Sequence, residues 1–282
     1  MFKAFWRNAA VGLLALVAAL TLGAIPSQAQ STWEKIHSSN KLRMGVTQAP
    51  PWFTKNPTTG EWDRGIMVSV GRQLAKDLGV QLEMVEVTWA TAIPALEANK
   101  IDFMGPLDAT PARAIVVDFP VQPLLYISLG LLAREDLETK TWEDLNKPEV
   151  KIAVPQGTSN DAFLTRTVPK AQIQRYPDNG AAIAAFQSHR ADAVSLFHPV
   201  LLVARKNLGF GKIVIPSPAL STPSSIALRR EADKTFRDWL GHAISYYYES
   251  GETQRWYEEF LEGFGLDPKA SPAIQRELMY GK

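Results

Sequence analysis

Residues 88–113 read "TWATAIPALEANKIDFMGPLDATPAR". Helical and extended signals alternate here at close spacing. Thr91–Asn99 (TAIPALEAN) predicts a short helix, with Pro94 in its first turn, where a missing N–H is tolerated. Ile101–Met104 is an apolar run of strand length, ended by Gly105 and Pro106. Thr110-Pro111 then reads as an N-cap followed by proline at the first helical position. This places Arg113 at a helix N-terminus, with Asp108 just before the helix start.

Outward from this stretch the alternation continues. Lys41–Thr47 predicts a first strand, broken by Pro50-Pro51. Ile66, Val70, Leu74 and Leu78 form a helical stripe that stops at Gly79, and Gln81–Val87 is strand-like. The βαβαβ order argues for a mainly parallel sheet with helices on both faces. The pattern restarts after Trp142. Strands are expected at Lys151–Val154, Ile173–Tyr176, Ala193–Phe197 and Ile213–Ile215. Helices are expected at Ser159–Thr167, at Asp178–His189 with Asp178 or Asn179 as cap, and at Pro199–Asn207. Ser224–Arg229 is one more strand, and two long helical patterns span Glu231–Ser250 and Glu252–Gly263. The polar, proline-containing tail after Leu266 is expected to be loosely attached.

Composition narrows the function classes. The 282 residues carry a formal net charge of +1, so no basic excess points to nucleic acid. With no cysteine in the sequence, disulfides, thiolate metal sites, a cysteine nucleophile and a lipidated N-terminal cysteine are all excluded. Lys3 and Arg7, the apolar run Val11–Ala24 and the small residues of Ser27-Gln28-Ala29 predict a signal peptide over residues 1–29. The apolar run is short for a bilayer span, so the product is expected to be exported and soluble.

In open α/β sheets ligands sit beyond the carboxyl ends of the strands, near helix N-termini. That rule selects Pro51–Phe53, Thr88–Ala90 and Gly105–Arg113 in the first unit, and Gln156–Asn160 and Phe197–Pro199 in the second. Arg113 is the leading candidate, because a guanidinium grips a carboxylate with two parallel hydrogen bonds. The other reading is a surface arginine paired with Asp118. Gly157-Thr158-Ser159 offers close backbone approach and hydroxyl and N–H donors, or else a plain helix cap. Trp52 and Trp89 form an apolar clamp or plug the core. The four histidines (His37, His189, His198 and His242) show no metal-ligand spacing. His198 follows a strand end and either faces the cleft or caps the core. No nucleophile elbow or phosphate loop is present, so no cofactor, metal or catalytic residue is expected.

Six pieces stand in a recognisable order: "LRMGVTQAPPW", "VTWATAIPALEANKIDFM", "ATPARAIVVDFP", "VKIAVPQGTSNDAFL", "RADAV" and "SSIALRRE". Over about Lys41–Phe264 the chain resembles the bacterial extracellular solute-binding proteins of family 3, the periplasmic amino-acid-binding components of ABC importers. The resemblance implies an α/β, two-lobed periplasmic binding protein fold of type II. Its ligand cleft would lie between lobes joined by two hinge strands and would close by hinge bending, a motion for which such proteins are a standard example. Lobe 1 would hold residues 32–125 and 224–265, lobe 2 residues 126–223, and 266–282 the tail. Arg113 matches the arginine that grips the ligand α-carboxylate, and Thr158 the residue whose N–H supports it from the other lobe. Trp89 matches an aromatic packed on the ligand side chain, and Trp52 an aromatic of the first loop. Asp108 stands where the family has serine or threonine, whose hydroxyl contacts the ligand ammonium. Thr110 and Ser159 complete the candidate set.

Two departures stand out. The strand "DAVSLF" ends at Phe197, where the family keeps an aspartate for the α-ammonium. "GIMVS", Gly65–Ser69, replaces the family's "GFDVD" and is expected to affect local structure more than ligand contact. The resulting expectation is a monomeric, non-enzymatic receptor for a small carboxylate-bearing solute, foremost an amino acid, delivered to an ABC permease in the inner membrane. Asp108 and Arg113 would together read a zwitterion, Asp108 replacing the missing anion. Alternatively Asp108 pairs with Arg113 or caps a turn. The two tryptophans and Phe197 suggest an apolar or aromatic ligand body. The other functional readings are a cyclohexadienyl dehydratase-like enzyme with Asp108 as general acid, and a ligand-presenting partner of a membrane sensor.

Overall fold

The computed structural model describes residues 30–279, so the expected signal peptide lies outside the described residues. After a helix at Thr32–Ser39, the strands run β1 (Lys41–Val46), β2 (Thr54–Lys55), β3 (Trp62–Arg64), β4 (Gln81–Glu86), β5 (Phe103–Asp108) and β6 (Val117–Asp118). They continue with β7 (Leu125–Ala133), β8 (Lys151–Pro155), β9 (Gln172–Tyr176), β10 (Ala193–Phe197), β11 (Lys212–Val214) and β12 (Ser221–Arg229). Apart from the β2–β3 pair they join one ten-stranded sheet of order β4-β1-β5-β12-β7-β10-β8-β9, with β6 on β12 and β11 on β7.

The two ends of this order are parallel sheets, β4-β1-β5 and β10-β8-β9. Between them β7 and β12 run antiparallel to each other and to their neighbours. Each is nine residues long, and β12 joins β5 while β7 joins β10. Near its start β7 pairs with β12 through Leu125↔Ser224 and Ser128↔Ser221, and then passes to β10 through Leu129–Ala133. The mainly parallel expectation therefore holds within each end and fails at the crossing.

Local chemistry explains most element boundaries. Ile66–Leu78, Ser159–Thr167 and Glu252–Gly263 form helices with the expected limits. The helix expected at Thr91–Asn99 instead spans Trp89–Glu97. Thr88 caps it, and the Thr88 and Thr91 side chains and backbone N–H groups bond reciprocally as a capping box. Pro94 thus lies inside the helix rather than in its first turn, and the Ala98 N–H bonds back to the Pro94 carbonyl at 2.9 Å. The helix expected from Glu231 starts only at Thr235, because the Glu231 carboxylate accepts from the Thr32 N–H at 3.0 Å and pairs with Arg229.

Gly105-Pro106 does not end the fifth strand. Strand β5 begins two residues late, since the Asp102 carboxylate is engaged with Arg43, whose N–H it accepts at 2.8 Å. It then continues through Pro106 to Asp108, and all six of its residues are buried. The facing strand shifts register between Ser225 and Ala227, an irregularity that accommodates a proline without a ladder N–H. Asp108 is therefore presented from a buried strand end and not from a loop.

The tail is not loose. The Ile274 carbonyl accepts from the Tyr126 N–H at 2.8 Å, its N–H bonds Gln254 Oε1 at 3.0 Å, and its side chain is fully buried. Residues Arg276–Met279 form a last short helix, held by Tyr248 to Glu277 at 2.8 Å. An apolar residue within a polar segment, docked on β7, reverses the expectation.

Candidate functional site

A cavity opens where the carboxyl ends of the two parallel sheets face each other. Its apolar walls are Trp52, Trp89, Pro106, Leu107, Ile127, Pro155, Leu196, Phe197 and Val200, and its polar groups are Asp108, Arg113, Thr158, Ser159, Asn160 and Asn179. Seven of the eight candidates from the sequence line it. Thr110 does not: it caps the short helix Pro111–Ala114 and accepts the Arg113 N–H at 3.3 Å.

Arg113 spans the cleft. Its Nη1 donates to the Asp108 carbonyl at 3.1 Å and its Nη2 to the Gly157 carbonyl at 3.2 Å. The surface pairing with Asp118 does not occur, since Asp118 pairs with Lys234. Both Arg113 bonds go to neutral carbonyls, leaving its charge without an ion-pair partner among the described residues. Burial lowers its pKa and Asp108 raises it, which leaves a guanidinium charged at any ordinary pH.

Asp108 is 6% exposed. Its Oδ2 accepts from the Ser159 hydroxyl across the cleft, while its Oδ1 is buried without a hydrogen-bond partner. Neither alternative reading of this side chain is met, because Arg113 bonds its carbonyl and the Thr110 N–H bonds that carbonyl too, at 2.8 Å. Burial pushes the carboxyl above its ordinary range, against the pull of Ser159 and Arg113. The hydroxyl of Ser224, its register partner on β12, also favours the charged form but is not in hydrogen-bond geometry.

The second sheet contributes helix starts. Thr158 caps Ser159–Thr167 by accepting the Asp161 N–H at 3.2 Å, and it also lines the cavity. Gly157 has φ 76° and lies against Ala90 of the opposite sheet, where a Cβ would come 3.1 Å from Ala90 Cα. Asn179, weighed in the sequence only as a cap, is the first residue of Asn179–Gln187, with Asp178 as the cap. Its Oδ1 accepts the Trp89 indole N–H at 3.0 Å.

Trp52 and Trp89 are buried, as core plugs are, and both also line the cavity. Of Gly65–Ser69, the glycine is the residue shared with the family pattern: at φ 130° a Cβ there would sit 2.2 Å from the Trp52 carbonyl oxygen, so only glycine fits behind that tryptophan; the departing Ile66 and Met67 are fully buried. His198 does not face the cavity. It is buried, and its Nδ1 accepts the Ser128 N–H of β7 at 3.0 Å. Burial pushes its pKa down to about 4, so the ring is neutral. Asn160 lies within the Gln156–Asn160 stretch that the strand-end rule selects, whereas Ile127 and Asn179 were missed. Asn179 follows its cap Asp178 at a helix start and could have been found by that position, whereas Ile127 on the crossing strand carried no signal. Among the described residues no group of three His, Asp or Glu side chains could hold a metal, and no helix is long and apolar enough to cross a membrane.

The sequence profile of the bacterial extracellular solute-binding proteins, family 3, matches residues 42–263. The chain belongs to this family. Family 3 relatives are distant in sequence. A probable histidine-binding protein of Campylobacter jejuni is 27% identical over 170 residues, covering 58% of this chain and 65% of that protein. A cyclohexadienyl dehydratase of Pseudomonas aeruginosa is 24% identical over 271 residues, covering 89% of this chain and 94% of the enzyme. Among solved structures, an ancestral amino-acid-binding protein described as a precursor of cyclohexadienyl dehydratase superposes with a TM-score of 0.74 at 30% identity, over 82% of this chain and 99% of that one. A cysteine-binding protein of Campylobacter jejuni reaches a TM-score of 0.76 at 23% identity, over 87% and 100% of the two chains, which speaks for the fold alone. The fold is thus the two-lobed type II periplasmic binding architecture, with the cavity between the lobes, and the chain is an extracellular solute-binding protein.

Proposed function

We propose that the cleft captures an α-amino acid as its zwitterion and that the protein, a periplasmic monomer without catalytic activity, delivers it to an ABC permease in the inner membrane. The lobes are divided as the resemblance implies, and they hinge where β7 and β12 cross. Arg113 holds the ligand carboxylate, aided by the helix start at Thr158 and Ser159. Asp108 Oδ1 receives the ammonium. The observation that carries this reading is the pairing of opposites in one cavity: a half-buried guanidinium bonded only to neutral carbonyls, and a buried carboxylate oxygen with no partner. A buried charge without a partner is costly, and a zwitterion satisfies both. Phe197, lacking any charge, shifts the anion from the end of β10 to the end of β5.

The test is a thermal-shift screen of amino acids, dicarboxylates and aromatic acids. A true ligand at about 100 times its Kd stabilises by about 2.7 kcal/mol, which is roughly 5–10 °C for a chain of this size. Arg113→Met should abolish the shift. A response to dicarboxylates with none to amino acids would sink the zwitterion reading.

One observation favours a second reading. A carboxyl pushed toward its protonated form in an apolar cavity suits a general acid, as a cyclohexadienyl dehydratase needs. Catalytic disappearance of prephenate or arogenate absorbance would establish that reading, whereas a receptor gives at most a stoichiometric change.

A further inference from the structure

We infer that Asn179 acts through Trp89 as the size gate of the cleft, restricting the ligand to amino acids with side chains no larger than about those of alanine and serine. This rests on the amino-acid reading above. Trp89 follows β4 and Asn179 follows β9, the two outermost strands of the main sheet order. Their contact therefore forms only because the two lobes face each other across the cleft. Both side chains line the cavity, and they are 8% and 5% exposed.

The indole N–H is the single polar group of a tryptophan side chain and can only donate. Asn179 Oδ1 accepts it at 3.0 Å. On the lobe 1 side the ring packs at a tilt against the buried Phe53, with centroids 6.4 Å apart. Held from both lobes, the indole is a fixed wall rather than a plate free to stack on a large ligand. The cavity it bounds is small, about 50 Å³. That corresponds to roughly three to five waters, close to the bulk of a small amino acid. A longer ligand side chain would have to displace the ring and leave a buried indole N–H and a buried amide oxygen unpaired. The aromatic residues thus wall off the ligand body and do not select for an aromatic one.

Calorimetric titration with alanine, serine, leucine and phenylalanine tests this in the wild type, Asn179→Ala and Trp89→Phe. The wild type should bind alanine or serine at least about tenfold more tightly than leucine or phenylalanine, the scale of discrimination an ill-fitting methylene produces. Asn179→Ala, and Trp89→Phe if the first variant folds poorly, should narrow that ratio about tenfold. Equal wild-type affinity for the large and small amino acids, or an unchanged ratio in a folded variant, overturns the gate while leaving the amino-acid reading intact. No heat with any amino acid overturns the reading and the gate together, and the alanine titration distinguishes the two failures.

Discussion

Replacing Asp108 by Asn should make the ligand-free protein more stable and the liganded protein weaker. The carboxyl is 6% exposed, one oxygen is used by Ser159 and the other has no partner. An orphaned buried polar group costs about 1–3 kcal/mol, more when charged. Asparagine keeps an acceptor for the Ser159 hydroxyl and removes the charge, so a gain of about 1–2 kcal/mol is expected. For a chain of this size that raises Tm by roughly 2–8 °C. Ligand binding moves the other way, because losing one partner of a buried charge pair costs about 2–5 kcal/mol, or roughly 30- to several-thousand-fold in Kd.

The pH dependence has a definite sign. Burial raises the folded pKa of Asp108 above its ordinary value of 3.8. Below 3.8 both states are protonated and the group costs nothing. As pH rises through the folded pKa the buried charge becomes fully unfavourable. The advantage of Asp108→Asn should therefore be present at pH 7 and vanish below about pH 4. Differential scanning fluorimetry without ligand, read from pH 3.5 to 8, and calorimetric titration with alanine at pH 7 measure both effects. A lower ligand-free Tm together with unchanged affinity would refute the reasoning, since Asp108 would then be a structural acid.

Two further outcomes follow from the same structure. His198, whose ordinary pKa of 6.5 is pushed down to about 4, leaves the unfolded chain taking up a proton that the folded chain refuses between those values. Stability should fall by about 3 kcal/mol as pH drops from 6.5 to 4, at about 1.36 kcal/mol per unit, and His198→Gln, which can still accept the Ser128 N–H, should flatten that fall in urea denaturation; an unchanged slope would show that His198 is not its source. Gly157→Ala should raise the Kd about tenfold with only about 1–2 kcal/mol lost from the fold, because its Cβ would meet Ala90 3.1 Å away across the cleft and its φ of 76° disfavours alanine; equal affinity in titration would mean that the lobes need not approach so closely there.

Much of the site was legible because its signals are local. Thr110-Pro111 marked the helix start that carries Arg113, and Gly157-Thr158 marked the facing one. What escaped depends on distant neighbours. That β5 runs on through Gly105-Pro106 follows from a register shift in Ser225–Ala227, more than a hundred residues away in the chain. That Ile274 anchors the tail follows from a free edge on β7. The rejection of Asp118 as Arg113's partner needed Lys234, which no spacing rule connects to it.

Residue order and periodicity suffice for two α/β lobes, their strand-end loops and the presence there of one arginine and one aspartate, because strand and helix signals act over a few residues. They do not establish that Arg113 grips two neutral carbonyls, that Asp108 Oδ1 goes unpaired or that Asn179 holds Trp89. Each of these depends on the lobes meeting, and burial and hydrogen-bond satisfaction are properties of that meeting rather than of any segment.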